Sequence, residues 1–145
     1  MTDLSGIAVS IQYPTGNVTP LLHEVRHALE RLADTGEPTA IDLRGIPLGP
    51  GEEDALERAL GEGEVTATLN ALGPSIVRET AIPGVWLVTH RNVNDEISGR
   101  FIEITKMPAI LESQDVDILR GIAALSEHLQ LAAAEHEGVE NHGSE

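Results

Sequence analysis

Cysteine is missing from the 145-residue sequence altogether. That excludes a disulfide framework, an iron–sulfur site, Cys-ligated zinc and a thiol nucleophile. Aromatic residues are almost as scarce: Trp86, Tyr13 and Phe101 make up the whole 2%. Any core has to be assembled from Leu, Ile, Val and Ala. Basic residues are few as well. Nine Lys and Arg stand against 24 Asp and Glu, a formal charge of −15. A surface that negative repels phosphate backbones and anionic lipid, so nucleic acid and membrane are excluded as expected partners, and a basic protein segment is favoured. The same charge also serves plain solubility. No apolar run reaches the roughly 18 residues of a transmembrane helix. Met1-Thr2-Asp3-Leu4-Ser5 has no positive region leading into a long apolar stretch, so no signal peptide is expected and the expected location is cytoplasmic.

What is present falls into short periodic blocks. Ile7, Val9 and Ile11 alternate with small or polar residues and predict a strand. Thr19-Pro20 reads as a capping hydroxyl followed by proline at a helix start. Leu21, Leu22, Val25, Ala28, Leu29 and Leu32 make one apolar helix face, which Gly36 and Pro38 end. Thr39–Leu43 is a strand candidate, and the Gly/Pro-rich run from Gly45 to Gly51 breaks the chain. Glu52–Leu60 predicts a short helix with acids in its first turn, where they suit the positive end of the helix dipole. Four strand-like runs follow, at Val65–Leu69, Ile76–Ile82, Val85–His90 and Ser98–Ile104. The turns between them are too short for parallel crossovers and predict an antiparallel meander. Asp115 is placed to cap a final helix whose Ile118, Ile122, Leu125, Leu129 and Ala132 form one stripe. The fold class is therefore α+β, a mostly antiparallel sheet with helices packed on one side. A single domain is expected over 1–134, with a flexible polar tail over 135–145.

Three stretches resemble the HupH-type hydrogenase expression/formation proteins. They are Ile41 through Leu48, Leu56 through Val65, and Ile76 through Val88 with Phe101-Ile102-Glu103-Ile104 and Pro108 after it. The resemblance spans roughly residues 20–110. Its most specific parts are the Gly61-Glu62-Gly63-Glu64-Val65 and Glu79-Thr80…Gly84-Val85-Trp86 blocks, in this order and at this distance. It implies an assembly factor for nickel–iron hydrogenase maturation, chaperone-like and without enzymatic activity. The implied client is the small-subunit precursor, and a thioredoxin-like maturation factor often accompanies such proteins. Typical members are considerably longer, so a single copy could work as a homodimer.

The residues themselves offer one rival chemistry. His23-Glu24-Val25-Arg26-His27 is H-E-x-x-H on a predicted helix, the arrangement in which two histidines hold zinc and a glutamate activates water. A zinc-dependent peptidase is the alternative reading. Helical geometry opposes it, because Leu21, Val25, Leu29 and Leu32 point one way and His23 and His27 almost the other. Glu52 and Glu53 are the candidates for a third ligand, but they lie in an acidic, Gly-flanked helix, and no metal or other cofactor is expected. The glycine-containing loops form neither a P-loop nor a dinucleotide fingerprint.

The expected site is a partner-binding surface at Gly61, Glu62, Gly63, Glu64, Glu79 and Trp86. A helix cap at Gly61 or Gly63 explains the glycines, but not the glutamates. With Glu52, Glu53, Asp54 and Glu57 they form a negative patch able to steer an arginine-rich segment. Glu79 and Glu103 are acids in strands, expected to face outward or to pair with Arg78, Arg91 or Arg100; catalysis by them is not expected. Trp86 reads as the largest core side chain or, if exposed, as a contact anchor.

Overall fold

The computed structural model describes residues 16–142, and the strand expected at Ile7–Ile11 lies outside them. The chain divides after Pro108. The first unit holds helix α1 (Val18–Thr35), strand β1 (Thr39–Asp42), helix α2 (Glu52–Leu60) and strands β2 (Thr66–Asn70), β3 (Pro74–Glu79), β4 (Val85–Arg91) and β5 (Ile97–Ile104). The second holds a 3₁₀ turn at Ala109–Leu111 and helix α3 (Asp115–His142).

The five strands form one sheet in the order β1-β5-β4-β3-β2, and every neighbouring pair is antiparallel. β2 to β5 are the expected meander. β1, from before α2, closes the sheet along β5. Strand alternation then decides which side chains meet the helices. Ile41, Val85, Leu87, Ile102 and Ile104 form the sheet's half of the core, and Val18, Leu21, Val25, Ala28, Leu32, Ala55, Leu56 and Leu60 form the helices' half. Each fully buried large aliphatic side chain contributes about 1.5–3 kcal/mol, so an aromatic-poor core of this kind is sufficient. The opposite sheet face carries Val77, Val88 and Trp86, all buried.

Helix α1 starts earlier than its threonine suggested. Asn17 occupies the cap position, and Thr19 and Pro20 lie inside the first turn. Proline is tolerated there because the first N–H groups of a helix have no partner within it. Gly36 ends α1 as expected, at φ 77°, with its N–H on Leu32 O at 2.9 Å. Asp115 is the first helical residue of α3 instead of its cap; with Asp117 it places negative charge at the helix's positive end. α3 continues through Gly138 to His142.

One acid changes role. Glu52, assigned by the sequence to the surface patch, is 0% exposed. Its carboxylate accepts the N–H of Asn17 at 3.1 Å and the N–H of Gly49 at 2.9 Å. Asn17 Nδ2 also donates to Pro47 O at 2.8 Å. Glu52 thus ties the first residue before α1, the Gly/Pro-rich loop and the start of α2 into one cluster. A buried carboxylate is sustained by such charge-assisted bonds to backbone N–H groups.

Candidate partner-binding site

The loop after α2 is built around a departure from regular pairing. Gly61 caps α2 at φ 72°, with its N–H on Glu57 O at 2.9 Å. The C-terminal carbonyl of Leu60 receives the N–H of Ala81 at 2.9 Å, which fixes the helix end to the chain beyond β3. Gly63 N–H then donates to Glu79 O, and Glu79 N–H donates to Val65 O, each at 2.9 Å. Two loop residues thus pair with the single residue Glu79, as in a bulge. Glu64, between them, has its N–H turned out of the ladder, and the Glu79 side chain accepts it at 3.1 Å. Gly63 is required by this approach: a Cβ there would lie 2.5 Å from both Thr80 O and Glu79 Oε1.

β3 stops at Glu79, sooner than the apolar run through Ile82 suggested. Buried Thr80 makes the turn instead. Its N–H and its hydroxyl both donate to Val85 O, at 3.1 and 2.8 Å. Across the ladder Glu79 faces Trp86, and Trp86 faces Glu103. The structure therefore brings Gly61, Gly63, Glu64, Glu79 and Trp86 together at one end of the sheet. Glu62 projects from the same loop with its side chain 82% exposed. Trp86 is only 7% exposed, and its indole N–H donates to Thr105 O at 3.1 Å.

The expected pairing of the strand acids with arginines does not form. Arg78 and Glu79 are adjacent in β3, so alternation sends them to opposite faces. Arg78 and Arg100 reach the acids of α2. Arg100 Nη1 is 3.0 Å from Glu53 Oε2, and its Nη2 bonds Glu57 Oε1. Arg78 lies 3.5 Å from Glu57 and 3.8 Å from Glu62. On the other face Glu103 is half-buried, and its Oε2 has no hydrogen-bond partner among the described residues. Burial pushes its carboxyl above the usual glutamate range, against the opposing charge of His90. Ser75 and His90 are cross-strand partners there, with Oγ and Nδ1 2.8 Å apart.

The surface acids of α2 and its loop border a shallow depression lined by Asp54, Glu57, Arg58, Gly61, Glu62 and Arg78. Three of its six lining residues are acids and two are arginines. Sequence reasoning missed the part of Arg78, which read only as a salt-bridge partner for its neighbour. Its even position beside odd Glu79 was the signal that would have placed it among the acids of α2. His23, Glu24 and His27 are all exposed on the outer side of α1. Among the described residues no three His, Cys, Asp or Glu side chains are grouped to hold a metal ion. No helix among them is long and apolar enough to cross a membrane.

Residues 15–132 match the C-terminal conserved region of the HupH hydrogenase expression protein. The chain is 32% identical over 104 residues to the hydrogenase expression/formation protein HoxQ of Azotobacter vinelandii, covering 70% of this chain and 37% of the relative. It is 30% identical over 118 residues to hydrogenase expression/formation protein HupH of Rhizobium leguminosarum bv. viciae, covering 78% of this chain and 42% of the relative. The chain thus spans about two fifths of the length of these curated relatives. A solved structure, hydrogenase expression protein HupH from Thiobacillus denitrificans ATCC 25259, superposes with a TM-score of 0.75 at 42% identity. That match covers 79% of this chain and 96% of the other.

Proposed function

Because the chain belongs to the family of HupH hydrogenase expression proteins, we propose that it is an assembly factor for nickel–iron hydrogenase maturation that acts by binding and has no catalytic turnover. Its client is the small-subunit precursor, held in the cytoplasm before export. A thioredoxin-like maturation factor is a second partner, and two copies of the chain pair as a homodimer.

The observation that carries this reading is the loop Gly61–Glu64, locked by backbone and carboxylate bonds to Glu79. Its fixed backbone holds the exposed Glu62 at the depression that Asp54 and Glu57 of α2 also line. A rigid acidic rim recognises a basic segment with little entropy lost on binding. Trp86 supports the rim from the neighbouring strand, across from Glu79.

The test is capture from cells that make the hydrogenase. Glu62→Arg with Glu64→Arg is expected to reduce the retained small subunit by about tenfold, the scale of one or two lost charge pairs. The melting temperature is expected to be unchanged, since both side chains are exposed. Undiminished capture by the folded variant removes the acidic rim from the mechanism.

A further inference from the structure

α1 and α2 cover the sheet face they share only in part. Beyond Leu87, toward the far end of β4 and the start of β5, the described residues leave a groove of about 240 Å³ on the same face. Its lining is Ile76, Leu87, Thr89 and Ile97, with Arg78, Arg91 and Arg100 around them and one acid, Glu57, at the α2 side. Three of the nine basic residues of a chain with formal charge −15 thus converge on one groove. General composition does not explain that concentration.

The three arginines are not equally committed. Arg100, with its side chain 14% exposed, is held by both Glu53 and Glu57. Arg78 has only long ion pairs, 3.5 Å to Glu57 and 3.8 Å to Glu62. Arg91 donates Nη1 to Asp95 O at 2.9 Å, but lies 3.9 Å from the Asp95 carboxylate. A guanidinium has five N–H donors in a fixed fork, so Arg78 and Arg91 keep donors for an incoming anion. Partly exposed ion pairs at such distances are worth at most about 1 kcal/mol, so redirecting them costs little.

The register places these two arginines on either side of a central rung. Ile76 pairs with Thr89; Arg78 is two residues along β3 in one direction, and Arg91 two along β4 in the other. An extended chain repeats its side-chain direction every second residue. A segment with acids at the first and fifth positions and an apolar residue at the third would match Arg78, the Ile76–Thr89 rung and Arg91 in turn. The apolar floor of Ile76, Leu87 and Ile97 favours a carboxylate on a carbon stem over a free phosphate.

We propose that the groove between Arg78 and Arg91 docks an extended acidic segment of a partner protein, glutamates flanking an apolar residue. This goes beyond the acidic-rim reading and shares only Glu57 and Arg78 with it, so failure here leaves that reading standing.

The probe is the peptide acetyl-Glu-Ala-Val-Ala-Glu-amide, titrated into the full chain and followed by the arginine Nε–H resonances in NMR. Saturating shifts at Arg78 and Arg91 are expected. The peptide with both glutamates replaced by glutamine should bind at least about tenfold more weakly, as expected when charged hydrogen bonds are lost. Arg78→Gln and Arg91→Gln should each weaken the glutamate peptide, with the backbone spectrum of the variant showing that it is folded. Should Arg78→Gln fail to fold, Arg91→Gln decides alone. Equal binding of the two peptides would reduce the groove to an apolar patch. Inorganic phosphate competing at concentrations similar to the peptide would make it a general anion site. Either result, or the absence of any shift, overturns the proposal.

Discussion

At the scale of single residues, the parity of a strand position outweighed the identity of its neighbours. The sequence places Glu79 beside Arg78 and Glu103 near Arg100, which looks like local charge pairing. Alternation separates them: the arginines meet Glu53, Glu57 and Glu62, and the two strand acids lie on the other face. Glu79 recovers a backbone N–H from Glu64, whereas Glu103 is left half-buried with an oxygen that has no hydrogen-bond partner among the described residues. A carboxyl whose value in the folded chain lies above the ordinary 4.5 stabilises the fold while protonated, below that ordinary value. The contribution is lost as pH rises through the raised value, so at neutral pH ionised Glu103 weighs against folding. Glu103→Gln is expected to melt above the parent at pH about 7.5, with the advantage fading as pH approaches about 4. Thermal melts across that range check it; an advantage that stays constant with pH would mean that the carboxyl's charge is not its cause.

At the scale of elements, the helices and strands were legible because each has one clean period. The face of α1 was readable at Leu21, Val25, Ala28 and Leu32, with Leu22 and Leu29 at its margin and only Val18 missed, and Gly36 ended it where glycine was expected. Boundaries failed where side chains override the pattern. Asn17 took the cap position of α1, held there by the Glu52 carboxylate on its N–H and by its own Nδ2 on Pro47 O and not by a side-chain cap bond. Thr80 bent the chain out of β3 although the apolar run continued to Ile82. The candidate loop was legible in composition but not in cause. Of the two glycines offered as the helix cap, Gly61 takes it; the need for Gly63 comes from the close passage of Glu79 and Thr80, a contact distant in sequence that no local pattern encodes. The two kinds of glycine should separate experimentally. Gly36→Ala meets open space and bears only the left-handed backbone, at about 1 kcal/mol. Gly63→Ala drives a methyl to 2.5 Å from a backbone oxygen, and a loss of about 2–3 kcal/mol is expected. Urea unfolding of the two variants measures both; similar losses would remove the close approach as the reason for Gly63.

At the scale of the whole molecule, the α+β class and the meander followed from turn spacing, and the structure bears them out. The position of β1 against β5 was not available in the same way, since it depends on the chain returning past two helices. Net charge was legible as a number, but its arrangement was not: acids gather on α2 and its loop while arginines collect in the groove beside them. A formal charge of −15 on 145 residues repels itself more in the folded state than in the expanded one. Raising sodium chloride from about 0.02 to about 0.5 M should therefore raise the melting temperature by a few degrees through screening. A flat or falling curve would show that the ion pairs of Arg78 and Arg100 outweigh the repulsion. Glu52 has a consequence of a different kind. One carboxylate is shared by the amides of Asn17 and Gly49, so releasing either leaves its oxygen stranded in a dry interior. The proline- and glycine-rich connection between β1 and α2, which looks in composition like a slack tether, is thereby a strut: it carries load between the two helices and must let go of both at once.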